Sequence, residues 1–222
     1  MKIFLKNTSL FQGIQEEEIK ALLPCLGAHK KSFQKGEILY QAGDTIEEVG
    51  LVLEGSVNIV VNFYWGDSVL FGHIPKGEIF GETYAAIPGK ELLCDVVAAE
   101  KSSILFLNMN HLFTTCQKSC SFHNRLVHNL IQISAQKNLN LSQRMLHTAS
   151  KSIRGRLLSY LSEQSIKNNS RHFQIPFSRQ ELADYLGVDR SALSNELSKM
   201  QREGFIEYKK NDFLLKEGGT DF

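Results

Sequence analysis

The sequence predicts an α+β fold made of an N-terminal antiparallel β-roll, one long helix and a C-terminal winged helix-turn-helix. Short apolar runs alternate with glycine-centred turns through the first half of the 222-residue chain. Residues 109–147 contain neither proline nor glycine, and residues 178–205 have the pattern of two short helices joined by a tight turn. We therefore expect a β-domain at residues 1–108, a dimerisation helix and hinge at 109–147, and the winged helix-turn-helix at 148–222.

The charge is distributed unevenly along the chain, although the formal net charge is only +1. Residues 137–210 hold thirteen Lys and Arg against seven Asp and Glu, whereas residues 1–136 hold eleven against fourteen. A basic C-terminal part suits contact with nucleic acid. The sequence has no long apolar run and no signal-peptide pattern, so we expect a cytoplasmic protein without a membrane partner.

The first 108 residues have the pattern of a β-domain preceded by a short amphipathic helix at residues 16–26. Strand-like runs follow, and they are separated by turns such as Lys35-Gly36-Glu37 and Ala42-Gly43-Asp44. Many short strands, spaced by roughly 8–12 residues, are typical of an antiparallel roll or sandwich. The predicted strands are residues 38–40, 50–53, 57–63, 68–73, 94–98 and 104–107.

The run Glu78-Ile79-Phe80-Gly81-Glu82 differs from the other turns. Gly81 has no side chain, and Glu82 is a single acid beside an apolar strand end. Such a turn could let backbone N–H groups approach a ligand. An ordinary turn would look the same, so this run alone decides little.

Two apolar stripes run along the predicted long helix. We expect one of them to pack on the β-domain and the other to meet the same helix of a second copy. A single thick core stripe is the alternative. The stripe that we assign to a homodimer interface has a 4-3 spacing and ends in a lysine: Leu126, Leu130, Ile133 and Lys137. The second stripe is Val127, Ile131, Ser134, Asn138, Leu141 and Met145.

The C-terminal helix pair begins at a capping box. Ser178 and Glu181 form the pattern S-x-x-E, which satisfies free N–H groups at the start of a helix. Gly187 ends this helix, because the sharp turn favours a residue that tolerates positive φ. Asp189 can cap the second helix. The buried side of the first helix is predicted to be Leu182, Ala183 and Leu186.

The second helix of the pair has an apolar side and a polar side. Leu193, Leu197 and Met200 fall at i, i+4 and i+7, so they should face the core. The other side carries slim hydrogen-bonding side chains and one arginine, which are the types that contact base edges and phosphates. The predicted DNA-contacting residues of this helix are Arg190, Ser191, Ser194, Asn195 and Ser198.

Two strand-like runs after Gly204, at residues 205–208 and 213–215, predict a hairpin with a basic tip. Lys209 and Lys210 in that tip are placed to touch phosphates. Ser178 and Arg179, at the start of the first helix, complete the predicted DNA-contacting set. An ordinary helix pair followed by a terminal hairpin is the alternative.

The order of β-roll, long helix and winged helix-turn-helix resembles the CRP/FNR family of bacterial transcription regulators. The resemblance covers nearly the whole chain. It implies a homodimer on palindromic double-stranded DNA and a β-roll that senses a small-molecule or redox signal. It also implies possible contact with RNA polymerase through residues 167–171. For those residues, a solvated loop is the alternative. Its marks are the helix-turn-helix and five runs: Leu10-Phe11-Gln12-Gly13-Ile14, Lys35-Gly36-Glu37, Ala42-Gly43-Asp44, Val52-Leu53-Glu54-Gly55-Ser56-Val57 and Gly77-Glu78-Ile79-Phe80-Gly81-Glu82.

The sequence departs from the cyclic-nucleotide-binding members of that family in the effector pocket. In those members the pair that corresponds to Gly81 and Glu82 is followed about ten residues later by Arg and then Ser or Thr, which hold the cyclic phosphate. Here those two positions are Leu92 and Leu93, and neither can neutralise or hydrogen-bond a phosphate. We therefore expect an unknown effector other than cyclic AMP, or no effector.

The recognition helix also departs from the family. Arg190 matches a family arginine that contacts DNA, whereas Ser191 and Asn195 stand where the family usually has Glu and a second Arg. The operator sequence should therefore differ from the operators of family members that have Glu and the second Arg at these positions.

The cysteines leave a redox function open. Cys116 and Cys120 lie four residues apart on one helix face and, with Cys25 and Cys94, could form a redox switch or hold an iron–sulfur cluster. Buried structural thiols are the simpler explanation. His73 as a haem ligand and a metalloenzyme are disfavoured because no ligand cluster or nucleophile–base pair is evident. A signalling module that does not bind DNA is a further alternative, but it would not need the winged motif.

Overall fold

The computed structural model describes residues 2–113 and 121–216 of the chain. Two compact units are present, residues 1–136 and 137–222. The helices of the first unit are α1 (Lys2–Lys6), α2 (Glu16–Cys25), α3 (Glu82–Ala85), α4 (Met109–Phe113) and the first part of α5 (Ser121–Thr148). Its strands are β1 (His29–Phe33), β2 (Ile38–Tyr40), β3 (Glu48–Glu54), β4 (Val57–Asn62), β5 (Ser68–Ile74), β6 (Ile79–Phe80), β7 (Asp95–Ala98) and β8 (Ser102–Asn108).

The strands of the first unit form two antiparallel sheets, with the strand orders β1-β8-β3-β6 and β2-β7-β4-β5. The predicted antiparallel β-roll is therefore confirmed. Strand β1 was not predicted. It reads His-Lys-Lys-Ser-Phe, lies at a sheet edge beside β8 and buries only Phe33, so it lacks the apolar alternation by which a sequence reveals a strand.

The first sheet separates two apolar cores because alternate side chains point to opposite faces of a strand. Leu51 and Leu105 face a core that also contains residues of α2, α4 and α5. Val52 and Phe106 face the second core, between the two sheets. That core is rich in aromatic rings, and Gly50 allows it, since a Cβ there would lie 2.2 Å from the Phe80 ring. The roll is thus stabilised by burial on both faces of its first sheet.

The predicted long helix is described on both sides of residues 114–120, as α4 and α5. Residues 114–120, with Cys116 and Cys120, lie outside the described residues. The stripe that starts at Leu126 belongs to the core of the first unit: Leu126 is 0% exposed and Leu130 is 4% exposed in the single chain. The chain itself already covers these two side chains, so they have little surface left for the predicted dimer interface. Ile133 is partly buried against the same core.

The second stripe of α5 is exposed from Ile131 onward, whereas Val127 is partly buried against the core of the first unit. Asn129, on the buried side, donates hydrogen bonds from Nδ2 to the carbonyl oxygens of Leu10 and Gln12, at 2.9 Å each. The helix is thereby held against the N-terminal segment, with Ile131 turned away and 58% exposed. Further along α5, Leu141 and Met145 are also exposed.

The second unit contains a small sheet and a bundle of helices. Its core joins the apolar faces of the helices after α5 and of the strands, among them Leu157, Leu186, Leu197 and Phe213. The helices after α5 are α6 (Ile153–Lys167), α7 (Arg179–Leu186) and α8 (Arg190–Arg202). The strands are β9 (His172–Gln174), β10 (Ile206–Lys209) and β11 (Asp212–Leu215), in the order β10-β11-β9. The predicted winged helix-turn-helix is confirmed, and β9 is an unpredicted three-residue strand beside the hairpin.

No described helix combines the length and the apolar composition that crossing a membrane requires.

Candidate DNA-binding site and effector region

The ends of the two helices in the helix-turn-helix are determined by local interactions, and the residues that make them were predicted from the sequence. The Ser178 hydroxyl accepts the Glu181 N–H at 3.3 Å, and the Glu181 carboxylate accepts the Ser178 N–H at 2.6 Å. Gly187 adopts φ +63°, which an L side chain rarely tolerates. The Asp189 carboxylate then accepts the N–H groups of Ser191 and Ala192 at 2.8 and 2.9 Å. These contacts fix where α7 ends and where α8 begins.

Both capping carboxylates have a lowered pKa. For Asp189 the main cause is the hydrogen bond from the Ser191 hydroxyl, followed by those from backbone N–H groups. For Glu181 it is the hydrogen bond from the Ser178 N–H. A lowered folded-state pKa stabilises the fold above the unfolded pKa of about 4, and this stabilisation is lost as the pH falls through the folded-state pKa.

We therefore expect the thermal stability of the second unit to fall as the pH is lowered from about 7 to about 3, with the loss concentrated below about pH 4. Asp189→Asn should make that loss smaller, since asparagine also caps a helix but does not titrate. Thermal melts of both proteins across this pH range measure the effect. An equal pH dependence for the wild type and D189N would contradict the role given to the Asp189 charge.

Helix α8 presents a polar face to solvent opposite its buried leucines. Arg190, Ser191, Asn195 and Ser198 are exposed, and Ser194 is half-buried. The Ser194 hydroxyl donates to the Arg190 carbonyl at 2.9 Å, and the Ser198 hydroxyl donates to the Ser194 carbonyl at 3.0 Å. Among the described residues, the side chains of Arg190 and Asn195 make no hydrogen bond or ion pair, so their donors are available to a ligand.

Arg154 on α6 holds α8 from its other side, a contact that no sequence pattern predicts. Its Nε lies 2.6 Å from Glu196 Oε1, and its Nη1 lies 2.7 Å from Glu203 Oε2. The guanidinium also lies over the Phe205 ring, 5.5 Å from its centroid. The ion pair with Arg154 lowers the pKa of Glu203. Because the carboxylates lie near the middle and at the end of α8, one arginine orients the whole helix on α6.

The hairpin after α8 has the predicted basic tip. Lys209 and Lys210 are exposed, and Lys210 adopts φ +57° at the turn. Arg179, which we predicted to contact DNA, reaches this tip. Its Nη2 donates to the Lys210 carbonyl at 3.2 Å, and its guanidinium lies 5.0 Å from the centroid of the Tyr208 ring. Burial lowers the pKa of Arg179. In this structure Arg179 therefore fastens the wing to the start of α7.

Arg179→Ala is expected to lower the free energy of unfolding by about 1–2 kcal/mol, through loss of one hydrogen bond and one cation–π contact. Lys209→Ala, which removes the same charge from an exposed position, should change it by less than about 0.5 kcal/mol. Urea denaturation of the two variants measures the difference. Wild-type stability in R179A would mean that the arginine does not hold the wing and is free to contact DNA.

Of the four residues predicted to form an effector pocket, Gly81 and Leu92 lie next to residues 43–46. Gly81, at φ +80°, precedes α3, and a Cβ there would lie 3.0 Å from Ile46 Cδ1. Glu82 is buried. Leu92 is also buried, and its N–H donates to the Asp44 carbonyl at 2.9 Å. Leu93 instead is 72% exposed, so it does not share the buried environment of Leu92.

An acidic cavity of about 550 Å³ lies beside this region. Tyr40 and Ile46, which both approach Gly81, contribute to its lining. The carboxylates that line it are Asp44, Glu47 and Glu48. A cavity with three carboxylates repels an anion and favours a neutral or cationic guest.

Cys25, Cys94 and His73 belong to no metal-binding group among the described residues. Cys25 is exposed, while partial burial raises the pKa of the Cys94 thiol and so disfavours its reactive thiolate form. His73 is exposed, with Nδ1 2.8 Å from Asn58 Oδ1. Within residues 2–113 and 121–216, no group of three or more His, Cys, Asp or Glu side chains could hold a metal ion.

Two protein-family models match the chain in the expected order. The cyclic nucleotide-binding domain matches residues 30–119, and the Crp-like helix-turn-helix domain matches residues 155–217. Among curated proteins, the transcriptional activator protein FnrL of Cereibacter sphaeroides is 25% identical over 210 residues, which cover 86% of this chain and 81% of FnrL.

Solved structures show the same fold. CprK complexed with OCPA superposes with a TM-score of 0.64 at 16% identity, over 90% of this chain and 92% of that one. The catabolite activator protein of Thermus thermophilus gives a TM-score of 0.50 at 21% identity, over 95% of this chain and 94% of that one.

Proposed function

The chain belongs to the CRP/FNR family of DNA-binding transcription regulators, which are not enzymes, and we propose that it acts as a homodimer on a palindromic operator. The single observation that carries the proposal is the pair α7 and α8, with its capped ends and with the unpaired donors of Arg190 and Asn195 on the exposed face of α8. In a helix-turn-helix, the N-terminal residues of the second helix contact base edges in the major groove.

The proposed readout divides the contacts between the two helices and the wing. Arg190 is suited to a guanine, whose O6 and N7 accept a bidentate pair of hydrogen bonds, and Asn195 is suited to an adenine. Ser178, at the start of α7, is suited to a phosphate oxygen. The serine hydroxyls of α8 donate within the helix and would contact phosphate only after rotating outward. Lys209 and Lys210 in the wing would add contacts that depend on charge and not on sequence.

The proposed dimer uses the exposed stripe of α5. Its apolar members Ile131, Leu141 and Met145 have no cover in the single chain, whereas Leu126 and Leu130 are already buried. Two copies of one helix related by a two-fold axis would present the same stripe to each other. A two-fold protein matches a palindromic site, with half-sites separated by one turn of DNA.

Selection from random duplex DNA tests the proposal. The full chain should enrich a palindrome whose half-sites lie about 10–10.5 base pairs apart or a multiple of that, with guanine preferred at one position of each half-site. Anisotropy with the enriched duplex should give a stoichiometry of two chains per duplex. Enrichment of no sequence, or of a site without two-fold symmetry, would contradict the proposal.

We further propose that the β-roll does not use cyclic AMP as its effector. A cyclic phosphate carries a full negative charge that needs a cationic hydrogen-bond donor when it is buried. The sequence has no arginine before Arg125, and leucines occupy positions 92 and 93. The acidic lining of the neighbouring cavity adds repulsion.

Calorimetric titration of the full chain with cyclic AMP and cyclic GMP should therefore show no binding at micromolar concentrations, and neither nucleotide should raise the affinity for the selected operator. An apolar, neutral or cationic ligand fits this region better than an anion does. Micromolar binding of either nucleotide with a matching gain in DNA affinity would defeat this part of the proposal.

A further inference from the structure

We propose that the second unit holds a binding site for a neutral, planar aromatic molecule that carries a carbonyl or ring-nitrogen acceptor. The site is a cavity of about 340 Å³ between α6, α7 and residues 140–143 of α5. None of the residues proposed to contact DNA lines it. The proposal is therefore independent of operator binding, and each can fail while the other stands.

Three aromatic rings form the wall of this cavity. The centroid of Phe177 lies 5.0 Å from that of Tyr185 and 5.9 Å from that of Tyr160, and the two tyrosine rings are 5.5 Å apart. All three residues line the cavity. Aromatic rings at such distances gain from stacking or edge-to-face contact beyond their apolar burial, and a planar guest can join the group. The wall therefore selects for an aromatic ligand over an aliphatic one of the same size.

The Tyr160 hydroxyl supplies the polar contact. Tyr160 is only 2% exposed, and its Oη has no hydrogen-bond partner among the described residues. Buried hydroxyls are nearly always paired, so an unpaired one in a residue that lines a cavity points to an acceptor from outside the chain. The oxygen has almost no accessible surface, so a ligand that bonds it must displace part of the ring packing that covers it. Burial also raises the pKa of Tyr160, which keeps the phenol a donor. The ligand should therefore offer it a carbonyl oxygen or a ring nitrogen.

The charges around the cavity favour a neutral ligand. Glu163 lines it, but both carboxylate oxygens are engaged: Oε2 lies 2.8 Å from His147 Nε2, and Oε1 lies 3.0 Å from Lys167 Nζ. Three amide residues complete the polar lining: Asn140, Gln143 and Gln164. A paired acid and base with three amides can hydrogen-bond an uncharged polar group without attracting a net charge.

The cavity adjoins the contacts that hold the end of α5 on α7. The Tyr185 hydroxyl lies 2.8 Å from His147 Nδ1, and the Tyr185 carbonyl accepts a hydrogen bond from Arg144 Nε at 3.0 Å. A ligand against the Tyr185 ring would therefore touch a residue that fastens α5. Binding at this cavity would therefore affect the contacts between the end of α5 and α7.

Nicotinamide is a suitable test compound because it is neutral, planar and carries both acceptor types, and cyclohexanecarboxamide is its matched aliphatic control. We expect nicotinamide, up to about 10 mM, to give saturable shifts of the Gln164 and Tyr185 amide resonances of the full chain, and cyclohexanecarboxamide to bind at least about tenfold more weakly. Tyr160→Phe should weaken nicotinamide binding at least about fivefold while keeping the melting temperature and the operator affinity. Gln164→Ala, at the half-buried rim, provides a second variant that should also weaken binding.

Three results would overturn the site. One is the absence of saturable shifts with nicotinamide. A second is equal binding of the aliphatic amide, which would remove the role of the aromatic wall. The third is unchanged nicotinamide affinity in Y160F, which would mean that the free hydroxyl bonds water and not a ligand.

Discussion

Replacing Arg190 with alanine is expected to cost about 1–3 kcal/mol per half-site, hence about 30-fold or more in affinity for a palindromic operator. The guanidinium is exposed on the first turn of α8 and has no partner among the described residues, so all its donors are available to a base. Removing it leaves a guanine O6 and N7 without donors at the protein surface. The base preference at that position should therefore relax.

Arg202→Ala is the matched control for this experiment. It removes the same charge from the exposed C-terminal end of the same helix, far from the turns that enter the groove. We expect it to lower the affinity for all sequences alike and by less than Arg190→Ala. Binding of each variant to the selected operator and to duplexes changed at single positions is measured by anisotropy. If R190A keeps both affinity and selectivity, α8 is not the recognition helix.

Replacing Ile131 with aspartate is expected to convert the dimer into monomers and to lower operator affinity by more than about 100-fold, since the second half-site contact is lost. Ile131 is more than half exposed in the single chain, so the substitution does not disturb the core of the first unit. In a dimer, however, the carboxylate would be buried between two apolar helices with no cation to pair it.

Gln132→Asp introduces the same charge at the adjacent exposed position and should remain dimeric, because position 132 points away from the stripe. Light scattering gives the mass of both variants, and circular dichroism checks that they are folded. A dimeric I131D would place the interface elsewhere. Leu130→Asp cannot serve this purpose, since Leu130 belongs to the core and its substitution is expected to unfold the first unit.

The helix-turn-helix was predictable residue by residue because its signals are local. A capping serine, its glutamate three positions later, a glycine at the turn and a capping aspartate all act within a few residues of where they stand. The buried positions Leu193, Leu197 and Met200 follow from helical periodicity alone. The departures in the effector region, Leu92 and Leu93, are likewise visible in the sequence, although only the structure separates the buried Leu92 from the exposed Leu93.

The errors concern contacts over long sequence separations. Strands β1 and β9 bury few apolar side chains and are held by pairing with β8 and β11, which lie far along the chain. Arg179 was assigned to DNA because it is a cation at a helix start, and its hydrogen bond to the wing carbonyl of Lys210 was not predicted. Arg154 was overlooked because its two carboxylate partners on α8 lie more than forty residues away.

The sequence by itself determined that this protein has a β-roll, a long helix with two apolar stripes and a capped helix-turn-helix, since periodicity, caps and turn residues act locally. Only the tertiary structure decided which stripe of α5 is covered, because both stripes have helical spacing and burial depends on what packs against each. It also decided that Arg179 fastens the wing and that Tyr160 lines a cavity with its hydroxyl unpaired. These outcomes depend on groups distant in the chain, and spacing within one segment carries no information about which distant group a side chain will meet.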